Sequence, residues 1–553
     1  MDIEIAELVE RFDRGDIRLP LMQRDYVWRA KKVVRLLDSL YREWPIGSFY
    51  VWKAESSHAA KPSFGGKALG ATHLDGFCGF LLDGQQRLTS LSLAIKNEGE
   101  AELQHRAFFD LENEQFFLGN MKKTLDRRVE NCDPLLLPLS ELLSSPSGDG
   151  AAVLKVMDKT LTALAEQNKL GKNHRNKDIF RERLYKLGKM LKHKAICEEF
   201  RDELEENAFE LFSRLNKGGT SLSSGDVAAA RLASAATRKI VAPMRALAAD
   251  GELRGLGLNF VFLLRCLVTV HRDNCSFSKL PQKWAEDTGE IDASWKSTEK
   301  ALRATVRFVR NELGWKTRRW LPSTMALIPV VYLLAKRGKT ALHGKDAAYV
   351  KRFLLVAGLR GLFRGSTETA VNSYVNAIRN SRGDLSRSAK ALFDRIPKNR
   401  LYKLRKDDII KTVGTYSPVM QIYEALLYER GARSWPSARS IRDILDEGLS
   451  NDPLAVHHIF PKKFMQDRDV PIERLNTVAN YAIISQPDNA ELGDQDPFDV
   501  WRGLKQNQKD CASQQLCFVA SDNFLKYQAY EEFLEYRGGK LAEQLNSFLG
   551  FGK

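Results

Sequence analysis

Apolar residues at Leu8, Val9 and Phe12 recur at helical spacing, and Gly15 stops the run, so a short amphipathic helix stands near the start of the chain. In Ile17–Trp28, Pro20 keeps its predecessor extended, which makes this stretch strand or loop. Val33, Val34, Leu37 and Leu40 mark a second amphipathic helix, ended by Trp44-Pro45-Ile46-Gly47. Phe49–Trp52 reads as a strand, and residues 55–73, rich in Gly, Ser, Ala and Lys, read as a loop. Phe77–Leu82 is a short apolar strand that runs straight into Asp83-Gly84-Gln85-Gln86-Arg87, followed by a helix with Leu88, Leu91 and Ile95 on one face. Residues 108–118 predict a hairpin turning near Asn113-Glu114, and residues 144–151 a loop. From about Val153 the pattern is helical and basic, and Phe209–Leu215 is apolar-periodic into Asn216-Lys217-Gly218-Gly219. Residues 236–440 keep the helical period with few strand signals. Near the C-terminus the order is strand at Val456-His457-His458, loop, turn and strand over Asn476–Ser485, then a segment opened by Asn489. That is a ββα unit.

The fold class is therefore α+β and multidomain, with an α/β N-terminal domain over 1–235, a mainly helical region over 236–440 and a ββα domain over 441–553. The length, 553 residues, accommodates about three domains. Hydrophobic residues at 43% supply real cores. Lys and Arg number 85 against 70 Asp and Glu, a net charge of +15, which favours a polyanionic partner but is equally compatible with a generally basic surface. Seven scattered cysteines with no CxxC pair argue against a zinc ribbon and a disulfide framework, and fit a reducing cytoplasm. The N-terminus lacks a signal-peptide h-region, and no apolar run approaches the roughly 18 residues of a membrane span.

Strand, Gly-containing turn and helix at 83–87 aim free backbone N–H groups at an anion. Asp83 offers a carboxylate, Gln85 and Gln86 amides, and Arg87 a phosphate-matching fork. The same five residues also serve as a plain helix N-cap with a surface arginine. Asn216-x-Gly218-Gly219 lets backbone approach a ligand closely, or simply caps one helix and starts the next. Basic stretches lie at Lys169–Lys194, at Arg303–Trp320 (with Trp315 and Trp320) and at Lys398–Lys406 (with Tyr402). Each suits either DNA contact or solvated helices with core aromatics.

Of nine histidines, His457 and His458 are the adjacent pair. Neighbours on a strand point to opposite sides, so one imidazole can face a metal and the other a water. Phosphodiester hydrolysis needs such a base and such a cation. Asn489 offers an oxygen to a hard ion such as Mg²⁺ or Mn²⁺, while Asn480 is placed to bond backbone and hold the histidine loop.

This arrangement resembles the HNH (His-Me finger) nucleases. The resemblance implies His458 as general base, His457 and Asn489 as metal ligands, and Asn480 as the structural member of a catalytic set. The wider pattern of Leu19-Pro20-x-x-Gln23-Arg24-x-Tyr26-x-Trp28, Asp83–Arg87, Phe212-x-x-x-Asn216-x-Gly218-Gly219-Thr220-x-Leu222 and a C-terminal HNH unit is similar to the GmrSD-type proteins. It covers about the first 235 and last 110 residues. It implies a ParB/sulfiredoxin-like N-terminal domain that binds and hydrolyses a nucleoside triphosphate of unknown identity. Asp83, Gly84, Gln85, Gln86 and Arg87 would hold that nucleotide, helped by Gln23, Arg24, Asn216, Gly218 and Gly219. It further implies a metal-dependent endonuclease that cuts modified double-stranded phage DNA (type IV restriction), reading glucosylated hydroxymethylcytosine or a phosphorothioate backbone. The alternative expectation is a nucleotide-gated DNA-binding regulator with an inactive HNH unit. No membrane partner is expected, and a homo-oligomer stays open.

Overall fold

The structure is a computed structural model. It describes residues 2–20, 26, 28–55, 63–64, 67–68, 77–96, 107–118, 133, 135–142, 158–163, 165, 174–202, 205–215, 238–277, 288–365, 367–381, 383–447, 453–515 and 522–551. Gln23, Arg24, Asn216, Gly218 and Gly219 lie outside these residues, as do Lys169, Lys172 and the expected loop at 144–151. The chain divides into two compact units, Met1–Ser234 and Ala235–Lys553. The spans 236–440 and 441–553 both fall in the second. Among the described residues, no helix is long and apolar enough to cross a membrane.

The first unit is built on a five-stranded mixed sheet. Its strands are β1 (Asp2–Glu4), β2 (Ile17–Arg18), β3 (Phe49–Glu55), β4 (Phe77–Asp83) and, after a smaller sheet, β8 (Lys194–Arg201), in the order β1-β8-β3-β4-β2. The smaller sheet pairs β5 (Ala107–Asp110) with β6 (Gln115–Leu118) as an antiparallel hairpin and with β7 (Leu136–Pro138). The turn joining β5 to β6 passes Glu114 at φ +53°. β4 is apolar on both faces because it lies inside the sheet, with Cys78 to Leu82 buried. It runs antiparallel to β3, and their register slips between Tyr50 and Val51, opposite Asp83. A β-bulge of this kind re-aims the chain at the end of a strand.

Helix α1 (Ile5–Arg14) buries Ile5, Leu8, Val9 and Phe12 and ends on Gly15 at φ +86°. Helix α2 (Ala30–Tyr41) buries Val33, Leu36, Leu37 and Leu40. Helix α3 (Gln85–Lys96) is enclosed more completely than its apolar face at Leu88, Leu91 and Ile95 suggests. Thr89, Ser90 and Ser92 are buried too. Two of these hydroxyls have hydrogen bonds that offset their desolvation: Ser92 donates to Asp13 Oδ1 at 2.7 Å, and Ser90 to the Gln86 carbonyl at 2.6 Å. Helices α4 (His174–Lys189) and α5 (Glu205–Leu215) follow, one before β8 and one after it.

The second unit is mainly helical. Its helices include α6 (Phe260–Arg272), α7 (Thr288–Leu313), α8 (Leu327–Lys336) and α9 (Gly344–Leu359). α8 is buried nearly all round, from Leu327 to Leu334, as expected for a helix at the centre of a bundle. Then come the short α10 (Lys406–Ile410) and α11 (Pro418–Glu429), whose N-cap Ser417 accepts from the Met420 N–H. A two-stranded antiparallel sheet follows, β9 (Leu454–His458) with β10 (Tyr481–Ser485), and then helix α12 (Gln486–Leu492). The last helix, α13 (Tyr530–Phe548), packs against α10 and carries the fully buried Arg537.

Candidate functional site

The C-terminal constellation starts from the pairing of β9 with β10. His457 stands opposite Ala482, and His458 opposite Tyr481. Strand alternation sends the two imidazoles to opposite sides. His457 is 6% exposed, and its Nδ1 lies 3.0 Å from Asn489 Oδ1. Its ring meets Trp435 edge-on, at 5.3 Å between centroids. His458 has Nε2 3.2 Å from Asn476 Oδ1 and its ring edge-on to Tyr481 at 4.9 Å. An amide oxygen only accepts, so in both contacts the imidazole nitrogen donates. His458 is then the Nε2–H tautomer with its Nδ1 lone pair available. Burial lowers the pKa of both rings from 6.5 to about 4, so both are neutral at pH 7.

Asn489 reaches His457 because of how α12 begins. The Ser485 side chain caps the helix by accepting from the Asp488 N–H at 3.1 Å, and a proline follows in the first turn. Buried Asp488 accepts from the Ser434 and Ser437 hydroxyls, which ties the start of α12 to the segment carrying Trp435. Asn480 is fully buried and bonds only protein backbone. Its Oδ1 accepts from the Phe460 N–H at 2.9 Å, and its Nδ2 donates to the carbonyls of Phe460 and Leu475, each at 3.1 Å. It thereby closes the loop between the two strands. Arg537 supports the same loop from α13, donating to the carbonyls of Ala479 at 2.6 Å and Tyr481 at 2.7 Å.

Among the described residues there is no group of three or more His, Cys, Asp or Glu fit to hold a metal. The donor set at this place is one imidazole and one amide oxygen, both neutral. The Nδ1–H of His457 bonds Asn489 Oδ1, so an ion held between these two atoms requires the other tautomer, with the proton on Nε2. Such a set suits a hard divalent ion that keeps water or phosphate oxygens for its other positions. It does not suit a site that must bind an ion with protein ligands alone.

In the first unit, Asp83 ends β4 and Gly84 turns the chain at φ +93°. A Cβ at Gly84 would lie 2.4 Å from Phe49 Cδ1, so glycine is required there on two counts. Arg87 faces inward. It donates to the carbonyls of Ile46 at 2.6 Å and Ser48 at 2.7 Å, lies 3.4 Å from Asp83 Oδ2, and stacks over Phe49. Burial lowers its pKa, and Asp83 opposes that shift. Gly47, at φ +86°, makes room for it: a Cβ there would be 2.0 Å from Arg87 Nη1. Gln85 and Gln86 are buried at the start of α3. Among the described residues Gln85 Oε1 has no hydrogen-bond partner, and neither has Thr89 Oγ1 one turn on. Tyr26, from the motif near the N-terminus, joins the same helix through a 2.8 Å hydrogen bond with Ser90, and burial raises its pKa.

The basic stretches separate. Trp315 and Trp320 are core residues, and around them Lys316 pairs with Asp446, Arg310 with Glu252 and Arg303 with Glu299. On α4, Arg183 donates to the carbonyls of Leu111 and Glu112, and Lys186 pairs with Glu182. The stretch from Lys398 to Lys406 is different, being exposed except at Leu401 and Leu404, with Tyr402 49% accessible.

Sequence spacing did not single out Asn476, Trp435 or Arg537. Asn476 lies 18 residues from His458, and only the returning loop brings it there. Arg537 looks like any surface cation of a helix.

Residues 5–233 match the family described as the GmrSD restriction endonuclease N-terminal domain. Over 256 residues the chain is 27% identical to the uncharacterized protein MJ0686 of Methanocaldococcus jannaschii. That similarity covers 41% of this chain and 41% of that protein, so the chain spans less than half of that relative's length. The first unit thus carries a region similar to the N-terminal part of DNA-cutting restriction enzymes. Residues 83–87 lie inside the matched span, and His457, His458, Asn480 and Asn489 lie beyond it.

Proposed function

We propose that this protein is a divalent-metal-dependent DNA endonuclease of the HNH kind, acting on modified foreign DNA under nucleotide control. The observation that carries the reading is the division of labour across β9. His457 converges with Asn489 on one side, and His458 stands on the other with an available Nδ1. The similarity of residues 5–233 to a restriction endonuclease domain supports the substrate class. In this reading residues 441–553 are the nuclease domain, and the five-stranded sheet of the first unit is of the ParB/sulfiredoxin kind.

Bound Mg²⁺ or Mn²⁺ would supply positive charge to the scissile phosphate and the departing oxygen. His457 and Asn489 are the residues that would hold it. His458 takes the proton from the attacking water at Nδ1, while Asn476 fixes the ring through Nε2. Asn480 is the structural member and holds the backbone that presents both histidines.

A nucleoside triphosphate would bind at Asp83–Arg87. The fit rests on the turn at Gly84 and on buried Gln85, whose Oε1 lacks a partner among the described residues. Arg87 contributes by holding the Ile46–Ser48 turn, with Gln23, Arg24, Asn216, Gly218 and Gly219 as the further contacts. Hydrolysis at this site would make cutting conditional.

The test is a cleavage panel on plain, glucosylated and phosphorothioated DNA. Each is run with Mg²⁺, Mn²⁺ or EDTA, and with or without ATP, GTP, CTP and UTP. Nicking or cleavage that needs the metal and disappears in folded His458→Ala is expected. Full activity in His458→Ala would overturn the assignment.

A further inference from the structure

The exposed stretch after Pro397 is held in a way a solvated charge run does not need. It makes one 3-10 turn at Lys398–Arg400 and then runs without regular structure to Arg405. Two side chains from distant helices satisfy its backbone. Arg360, at the end of α9, donates to the carbonyls of Arg400 and Tyr402 and stacks on the Tyr402 ring at 3.6 Å. Asn546, on α13, clamps Leu404 from both sides, accepting from its N–H at 2.7 Å and donating to its carbonyl at 2.8 Å. Ordering such a loop costs conformational entropy, roughly 1–2 kcal/mol per residue. Here the ordering fixes a shelf of cations.

The pairing of those cations is uneven. Beyond the clamp at Leu404, Arg405 faces Asp408, Lys406 faces Glu535 and Lys411 faces Asp407. On the shelf itself, Lys398, Arg400 and Lys403 are exposed and have no ion-pair partner among the described residues. The half-exposed Tyr402 stands among them. The shelf also leads directly to the candidate nuclease loop. It continues into α10, whose Ile410 carbonyl accepts from Thr477 Oγ1 at 2.6 Å, and the Thr412 carbonyl accepts from the Val478 N–H at 3.2 Å. Thr477 and Val478 lie between Asn476, which orients His458, and Asn480, which closes the loop.

We infer that Lys398, Arg400, Tyr402 and Lys403 form the surface that seats the double-stranded DNA backbone beside the HNH site. The three cations contact phosphates and Tyr402 rests against sugar. Fixed cations with an aromatic between them are what phosphate and sugar recognition asks for, and contacts of this type position a duplex without reading its sequence. The inference takes its purpose from the nuclease reading, but it is tested by binding alone.

The experiment measures affinity of the full chain for a short plain DNA duplex in EDTA as a function of salt. It compares wild type with the triple variant Lys398→Ala/Arg400→Ala/Lys403→Ala, and with Lys300→Ala/Lys339→Ala/Lys345→Ala, which removes the same charge at exposed positions elsewhere in the second unit. Loss of three phosphate contacts should make the slope of log K against log salt shallower by about 2.7 and weaken binding roughly 10²-fold at 0.1 M salt. The comparison variant should keep the wild-type slope within about one contact. An unchanged slope in the shelf variant, or an equal loss in both, overturns the inference. Wild-type protein that does not bind this plain duplex overturns this inference alone, because the nuclease reading asks for modified DNA, a divalent ion and a nucleotide. Wild-type protein that binds with the shelf-dependent slope, yet cuts nothing with any divalent ion, supports the shelf and sinks the nuclease alone.

Discussion

The two asparagines near the histidine pair have separable duties, and stability tells them apart. Asn480→Ala removes an acceptor from the Phe460 N–H and donors from the carbonyls of Phe460 and Leu475. The site is fully buried, so water cannot replace the lost partners without opening the loop. An orphaned buried N–H costs about 1–3 kcal/mol, and a carbonyl somewhat less, so the three together come to about 3–5 kcal/mol. Asn480→Asp keeps the acceptor but turns an oxygen toward two carbonyls, and burying that charge costs at least as much. Asn489 is only half-buried, and among the described residues its side chain has one hydrogen bond, with His457 Nδ1. Asn489→Ala should therefore change stability by less than about 1 kcal/mol while abolishing metal-dependent cleavage. The assay is urea unfolding of the second unit followed by tryptophan fluorescence, with buried Trp435, Trp315 and Trp320 as reporters, alongside single-turnover nicking. Because the chain has two compact units, the second-unit transition is fitted separately. An Asn480→Ala cost below about 1 kcal/mol, or an Asn489→Ala variant that unfolds as readily as Asn480→Ala, would refute this division of duties.

Acid should loosen the same unit in metal-free buffer. His457 and His458 are held to about 4 against 6.5, so the unfolded chain binds more protons, and the stability they contribute is present above pH 6.5 and lost as pH falls toward 4. By pH 5 each histidine should have cost about 2 kcal/mol, read as a falling urea midpoint that flattens in His457→Gln; a wild-type midpoint independent of pH would contradict it. In the first unit, Arg87→Lys loses the fork that serves Ile46 and Ser48 together, and should lower that unit's stability by about 2 kcal/mol in thermal melts. A melt unchanged by Arg87→Lys would mean that the arginine is not what holds the Ile46–Ser48 turn.

Much of the element order is legible in local sequence. Helix α1 follows from Leu8, Val9 and Phe12 with Gly15 as its stop, and β4 from an uninterrupted apolar run that only an internal strand can bury. The hairpin of β5 and β6, and the helical run through the second unit, follow from period in the same way. Period also gives the opposite facing of His457 and His458, because strand alternation is a property of the backbone. What period does not carry is the partner of a polar side chain. Arg87 beside a glycine turn suits a phosphate, yet it donates to the carbonyls of Ile46 and Ser48, about 40 residues earlier in the chain, and to Asp83. Trp315 and Trp320, set among cations, suit stacking on bases, yet both lie in the core. Asn476 and Arg537 enter the neighbourhood of the histidines by chain return alone. The sequence by itself determined most of the helices and strands, because those depend on the spacing of apolar residues within a few turns, but not β8, which falls in the stretch after Val153 that reads as helical and basic and buries few side chains. Only the tertiary structure decided which cations are spent on carbonyls and carboxylates and which, at Lys398, Arg400 and Lys403, have no ion-pair partner among the described residues, because that depends on what the rest of the chain brings within 3 to 4 Å.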